Sequence, residues 1–268
     1  MRKMLLLIIA LLVSISCSSR VNLYVECDVE RGQTWDDTFS GSRGGDIFSD
    51  PVLEEMTATI NDDTMEVDLP DPGSYHHYAY FWDEDTIPPD AGSEHEFNIQ
   101  TDVGNASATV TVPGEFDITA PLEDDSIPID AALDITWEAS DGADWYAVWL
   151  RYFWTGDSKD TTVYVDNTAW TAPADWIDVD GTIYVYVYAG DGPRFEAGEA
   201  GNIEGAKGFC VATNYRANRV IVGAGYLAPK QSKFETQRIS SKDFYRAYIK
   251  EMSKYSSEAA EMLEYLEF

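Results

Sequence analysis

Rings in alternation, carboxylates in clusters and three cysteines are the residues of this chain that could do chemistry. Trp145, Trp149, Arg151 and Phe153 fall on odd positions of one run, and Tyr184, Tyr186 and Tyr188 on even positions of another. Successive side chains of a strand point to opposite faces, so each set shares one face. If Tyr146, Val148 and Leu150 turn into a core, the rings turn away from it. A face so rich in rings is too apolar to stay bare without purpose. It could be a platform on which sugar rings stack, or a protein interface, since Trp, Tyr and Arg dominate binding energy. It could equally be covered by an amphipathic segment of the same chain, which completes a core. Trp149, Arg151, Phe153, Tyr184, Tyr186 and Tyr188 are therefore the candidate ligand or interface residues.

The carboxylates cluster at Asp83 to Asp85, at Glu123 to Asp125, and at Asp175, Asp178 and Asp180. Hard oxygen donors in loops suit Ca²⁺, but none of the three has EF-hand spacing, and charge runs are usually solvated, so no metal is expected. His76 and His77 are neighbours in a strand-like run and point to opposite faces, and His95 is the only other histidine. Nothing has the pattern of a nucleophile elbow, a phosphate-cradling loop, a zinc helix or a Cys and His pair. We expect no enzyme activity and no cofactor.

Cys17 stands apart from Cys27 and Cys210. Arg2 and Lys3 precede the apolar run Met4 to Val13, which is short for a membrane span and right for an export signal. Ser14, Ile15, Ser16 and Cys17 resemble the lipobox of bacterial lipoproteins, although Ser14 stands where that pattern usually has leucine. The resemblance implies a signal peptide over residues 1–16 and fatty acyl chains, of the palmitate class, on Cys17. Such chains tether a domain to a bilayer rather than pass it through. The expected location is the cell envelope, lipid-anchored at the outer membrane and facing either the periplasm or the exterior. In an oxidising compartment Cys27 and Cys210 are candidates for a disulfide.

Charge is uneven along the chain. The protein has 48 Asp plus Glu against 18 Lys plus Arg, and residues 21–205 hold 41 of those acids and only 5 of the bases. A body of that sign repels phosphate, which excludes a nucleic-acid partner. The partners that remain are the membrane, through the lipid anchor, and a protein or polysaccharide.

Short alternating runs punctuated by Gly, Pro, Asn and Asp fill residues 21–223. Val21, Leu23, Val25, Cys27 and Val29 alternate with polar residues as in a half-buried strand. The Gly-rich stretch 31–50 reads as a long loop. Strands follow at 56–60, 65–69, 75–82, 94–101 and 105–112, the last two joined by a hairpin turn at Val103 to Asn105. In the second half, LDITW (133–137), WYAVWL (145–150) and TIYVYVYAGDG (182–192) resemble strands B, C and F of a fibronectin type III domain, a likeness that covers residues 116–225. It implies a sandwich with Trp137 buried beneath strands C and F, although Ile183 stands where that family has its corner tyrosine. The first half more distantly resembles the Ig-like or carboxypeptidase-regulatory-like sandwiches of bacterial surface lipoproteins.

Residues 226–241 read as a linker. Beyond it Tyr245, Tyr248, Met252, Tyr255, Ala259, Met262 and Leu266 recur in steps of three and four, one stripe of an amphipathic helix. The expected organisation is an all-β chain: a signal peptide over 1–16, an Ig-like sandwich over 17–114, a fibronectin type III-like sandwich in tandem over 115–225, and linker plus helix over 226–268. The expected role is that of a non-catalytic, membrane-anchored binding or structural module, or alternatively a carbohydrate-binding or adhesive protein using an exposed aromatic face.

Overall fold

A computed structural model describes residues 22–70, 78–83, 88–194 and 200–223. The signal segment, Cys17, His76, His77, Glu84, Asp85 and the C-terminal helix lie outside them. Among the described residues, sixteen strands and one 3-10 turn, Ala174–Trp176, make up the regular structure. The first half contains β1 (Asn22–Gln33), β2 (Phe39–Asp50), β3 (Met56–Ile60), β4 (Asp63–Thr64), β5 (Glu66–Asp68), β6 (Tyr78–Trp82), β7 (Glu94–Thr101) and β8 (Asn105–Thr111). The second half adds β9 (Ile118–Ala120), β10 (Asp125–Ile127), β11 (Leu133–Trp137), β12 (Trp145–Trp154), β13 (Asp157–Val165), β14 (Ala169–Ala172), β15 (Gly181–Asp191) and β16 (Lys207–Val222).

The all-β reading holds. The stretch read as a loop does not: Arg31 to Gln33 extend β1, and Phe39 to Asp50 form β2, paired with β1 along its whole length. Gly41, Gly44 and Gly45 weaken strand propensity there, but their lack of side chains is what the site needs. A Cβ on Gly45 would lie 2.1 Å from the Glu26 carbonyl oxygen, and one on Gly41 2.6 Å from Pro89.

The two halves are not independent sandwiches in tandem. One sheet runs β13-β12-β15-β16-β1-β2-β6-β5 across both, with β10 also paired to β16. Two small sheets, β4-β3-β7-β8 and β14-β11-β9, complete the set. Register shows that both cores lie on one face of the large sheet. Cys27 is opposite Cys210 in the parallel β1–β16 ladder, Ile183 is opposite Val220, and Val187 is opposite Val148. The first core gathers Val25, Cys27, Ile47, Phe81, Phe97, Ile99, Cys210 and Ala212; the second gathers Ile135, Trp137, Leu150, Tyr152, Ile183, Val185, Val220 and Val222. So β16 gives its beginning to one core and its end to the other.

Between those ends the inward side chains of β16 are Asn214, Arg216 and Asn218. Asn214 Nδ2 donates to the carbonyls of Pro113 (3.1 Å) and Gly114 (2.9 Å), and Asn218 Nδ2 donates to Pro121 O at 2.8 Å. Arg216 pairs with Glu115, which also takes Arg31 of β1 at 2.6 Å. These polar groups occupy the gap where the cores part and satisfy the backbone of the connecting segment, which buried carbonyls require. Trp137 is buried beside Tyr146, with ring centroids 5.6 Å apart. Ile183 is buried in the second core, and the hydrogen bond of a corner tyrosine comes instead from its cross-strand partner: Tyr152 donates its hydroxyl to Val179 O.

A strand common to two cores couples their unfolding. Calorimetry should therefore give one cooperative transition for residues 22–223, and Asn214→Ala, which removes the side-chain donor to the Pro113 carbonyl and leaves Gly114 O with the Ser140 hydroxyl alone, should lower its stability by about 1–3 kcal/mol. Two resolved transitions, only one of them moved by the substitution, would show independent cores.

Candidate aromatic platform

The face of the large sheet turned away from both cores carries the rings. Rows across it follow from register. Arg151, Tyr184 and Arg219 stand abreast on β12, β15 and β16, then Trp149, Tyr186 and Ala217, then Ala147, Tyr188, Tyr215 and, on β1, Gly32. Phe153 closes the patch, edge-on to Tyr184 at 5.8 Å.

A glycine on a flat sheet leaves a hole that a neighbouring ring can fill. Tyr215 lies over Gly32, where a Cβ would come within 1.9 Å of its ring, and Trp145 lies over Gly190, where a Cβ would come within 2.1 Å. Tyr215 then meets Tyr188 at 5.2 Å and Tyr186 at 6.2 Å, and its hydroxyl hydrogen-bonds the Ser40 hydroxyl at 2.8 Å. Burial pushes the Tyr215 phenol up to about 12, and raises Tyr184, Tyr186 and Tyr188 above their ordinary value for the same reason. All four stay neutral hydroxyls across the physiological range.

The expected site residues do not share one fate. Trp149, Arg151 and Phe153 are half-buried and form the open part, with the Arg151 guanidinium 5.0 Å over Trp149 and 5.1 Å over Phe153. Trp149 and Tyr186 stack at 4.7 Å with ring planes 31° apart. Tyr184 is buried rather than exposed, and Tyr188 packs with Trp145, Ala147, Phe209 and Val211 in a third apolar cluster. The cover on Tyr184 is Trp35, at 4.6 Å, which also stands edge-on to Tyr186 at 6.4 Å.

Trp35 belongs to the β1–β2 hairpin and, like Tyr215 of β16, is a platform residue that alternation did not reveal. Its turn is tightly tied: Thr34 Oγ1 donates to Asp36 Oδ1 at 2.6 Å, Thr38 N to the same oxygen at 3.2 Å, and Thr34 N to Thr38 O at 3.0 Å. The Thr34 hydroxyl, then that of Thr38, hold the Asp36 carboxyl below its usual range. Asp37 takes a positive φ of 60°. The sequence signal was the run Thr34-Trp35-Asp36-Asp37-Thr38, turn chemistry between two extended segments.

Among the described residues, one or two members of each acidic cluster pair with a cation of the chain itself. Arg219 contacts Glu123 at 3.4 Å and Asp124 at 2.6 Å, Lys159 pairs with Asp178 at 3.0 Å, and Arg43 pairs with Asp83. His95 is buried with its Nε2 2.8 Å from the Ser93 hydroxyl, and burial, then Arg43, lowers its basicity. Cys27 and Cys210 are neighbours on β1 and β16, both buried thiols.

Further along the platform face, Glu26 stands opposite Phe209 and Asp46 and is 5 % exposed. Its Oε1 has no hydrogen-bond partner among the described residues. Burial, reinforced by Asp46, raises its carboxyl from 4.5 to about 8.

No family model matches the chain, and no curated protein matches it. Among solved structures it is similar to the tandem Ig repeats of Dlar, at 15% identity over 75% of this chain and 99% of that one, with a TM-score of 0.25. It is also similar to the fibronectin(III)-like modules of Clostridium thermocellum CbhA, at 13% identity over 77% and 92% with a TM-score of 0.26, and to the FN1–FN3 domains of chicken CNTN1, at 12% over 65% and 62% with a TM-score of 0.22.

Glu26 makes stability depend on pH in a definite direction. Between 4.5 and about 8 the folded carboxyl keeps a proton that the unfolded one has released. Stability therefore falls as pH rises through that window and levels off above it, a loss on the order of a few kcal/mol. Glu26→Gln should flatten the profile of Tm against pH between 5 and 8 and raise stability at pH 8; a variant that tracks the parent at every pH would exclude this role.

Proposed function

We propose that this chain is a non-catalytic, lipid-anchored module of the bacterial cell envelope that works by contact through its aromatic platform, with a protein as the partner. The observation that carries the reading is the Arg151 guanidinium lying across two half-buried rings, Trp149 and Phe153, at 5.0 and 5.1 Å. Trp and Arg in a central, partly desolvated patch are the side chains on which protein interfaces depend most. Tyr184 against Phe153 and Tyr186 against Trp149 hold them in place, so little side-chain freedom is lost on binding. The strongly acidic body around the patch sets the sign of partner it tolerates.

In this reading the acyl chains on Cys17 hold the protein beside the bilayer, a short way upstream of β1. Absence of a reactive constellation in the sequence is the ground for reading no catalysis. A carbohydrate partner is the second reading, favoured by the half-buried rings of Trp149 and Phe153 on the open part of the face, which can stack against sugar C–H faces.

Cross-linking in intact envelopes separates the two. Arg151→Ala and Trp149→Ala should each abolish a specific protein adduct while leaving Tm within a few degrees, and electrophoresis through polysaccharide gels should show no retardation. Retardation lost in Trp149→Ala, without any adduct, would instead establish the sugar reading. For the tether, Cys17→Ala should move the protein out of the membrane fraction; unchanged fractionation would rule out acylation at that residue.

A further inference from the structure

Cys27 and Cys210 lie far apart in the chain and side by side in the fold. They are Cα partners in the parallel ladder of β1 and β16, with relative exposures of 1% and 0%. Partners in a ladder are spaced within the range that a disulfide spans. Both side chains point into the first core, and the two thiols are in hydrogen-bonding contact.

The backbone around Cys210 is held in register by more than the ladder. Asn202 clamps it from the other side, accepting from Cys210 N at 2.7 Å and donating to Cys210 O at 2.9 Å. Two residues earlier Gly208, at φ +118°, lets β16 come so close to β1 that a Cβ there would lie 1.9 Å from Val25 O. One turn of the ladder further on, Val29 faces Ala212. Sliding the strands by a residue would turn one cysteine out of the core.

We propose that Cys27 and Cys210 form a disulfide in the mature protein, a covalent lock on the β1–β16 seam. The bond forms between the two Sγ atoms. Two protons and two electrons leave, and the disulfide of an envelope thiol–disulfide oxidoreductase takes the electrons and becomes a dithiol. This rests on the reading that the chain is exported, because a reducing cytosol keeps such thiols reduced. Burial pushes the Cys210 thiol up, so in the closed fold the pair attacks nothing. Oxidation therefore precedes the docking of β16 or uses a transient opening of the seam. Once made, the bond is as sheltered from reductants as the thiols were.

The test uses the full chain carrying Cys17→Ala, so that only these two thiols remain. Refolding in a glutathione redox buffer should yield protein with no thiol reactive to alkylation after denaturation, and with a Tm that drops by roughly 10 °C on reduction, as closing so long a loop implies. Cys27→Ala/Cys210→Ala, whose small apolar side chains suit the core, should fold and show no response to reductant. Two alkylatable thiols after oxidative refolding, or glutathione adducts alone, would overturn the proposal. The same alkylation on protein taken from cells examines export separately: a bond that forms in the buffer but not in cells refutes the export reading and leaves the geometry of the pair intact.

Discussion

Two cores on one face of one sheet need a strand that belongs to both, and β16 meets that need by changing character twice along its inward side. Cys210 and Ala212 are apolar and lie in the first core; Asn214, Arg216 and Asn218 are polar and lie where the cores part; Val220 and Val222 are apolar again. Uniformly apolar side chains at the middle positions would take the amide donors from the carbonyls of Pro113 and Pro121 and leave Gly114 O with the Ser140 hydroxyl alone. A buried carbonyl without a donor costs about 1–3 kcal/mol. Arg216 is the expensive member of the set. Burial, then the nearby Arg31, pulls its guanidinium down to about 10, and Glu115, held between the two arginines, is what keeps both charged groups matched.

The same sheet explains why the aromatic rings collect on the other face. Every inward position is taken by a core or by the seam, so the remaining apolar bulk of β12, β15 and β16 faces outward. Glycines make that bulk pack instead of stack up: Gly32 and Gly190 give Tyr215 and Trp145 a place to lie flat. The hairpin of the first half then sets Trp35 on Tyr184 of the second. Contact across the two halves is thus made on both sides of the sheet, by polar groups inside and by rings outside.

Much of the fold was legible in the sequence because period-two alternation is a local signal. It located β7, β8, β11, β12 and β15 and placed Trp149, Arg151 and Phe153 on one face. Strand β2 was not legible, since Gly41, Gly44 and Gly45 carry the signature of a loop, and only contacts with Pro89, Phe81 and the Glu26 backbone explain them. The joining of the halves was not legible either. Parallel pairing of β1 with β16 is a long-range fact, and nothing within either strand announces its partner. Trp35 was missed for the same reason, because its platform lies some 150 residues away in the chain, at Tyr184 and Tyr186. What covers the face was not legible, because alternation gives direction and not cover.

A strand made late has a consequence for how this protein comes into being. The N-terminal core lacks one wall until Cys210 and Ala212 have been synthesised, so the ordinary sequence of events, in which an early domain closes while a later one is still being made, is denied to it. Pairings between residues near position 25 and residues near position 210 also make closure slow, since a long loop must first be ordered. Until that last strand arrives, the inward side of β1 has no partner along the edge that β16 later occupies.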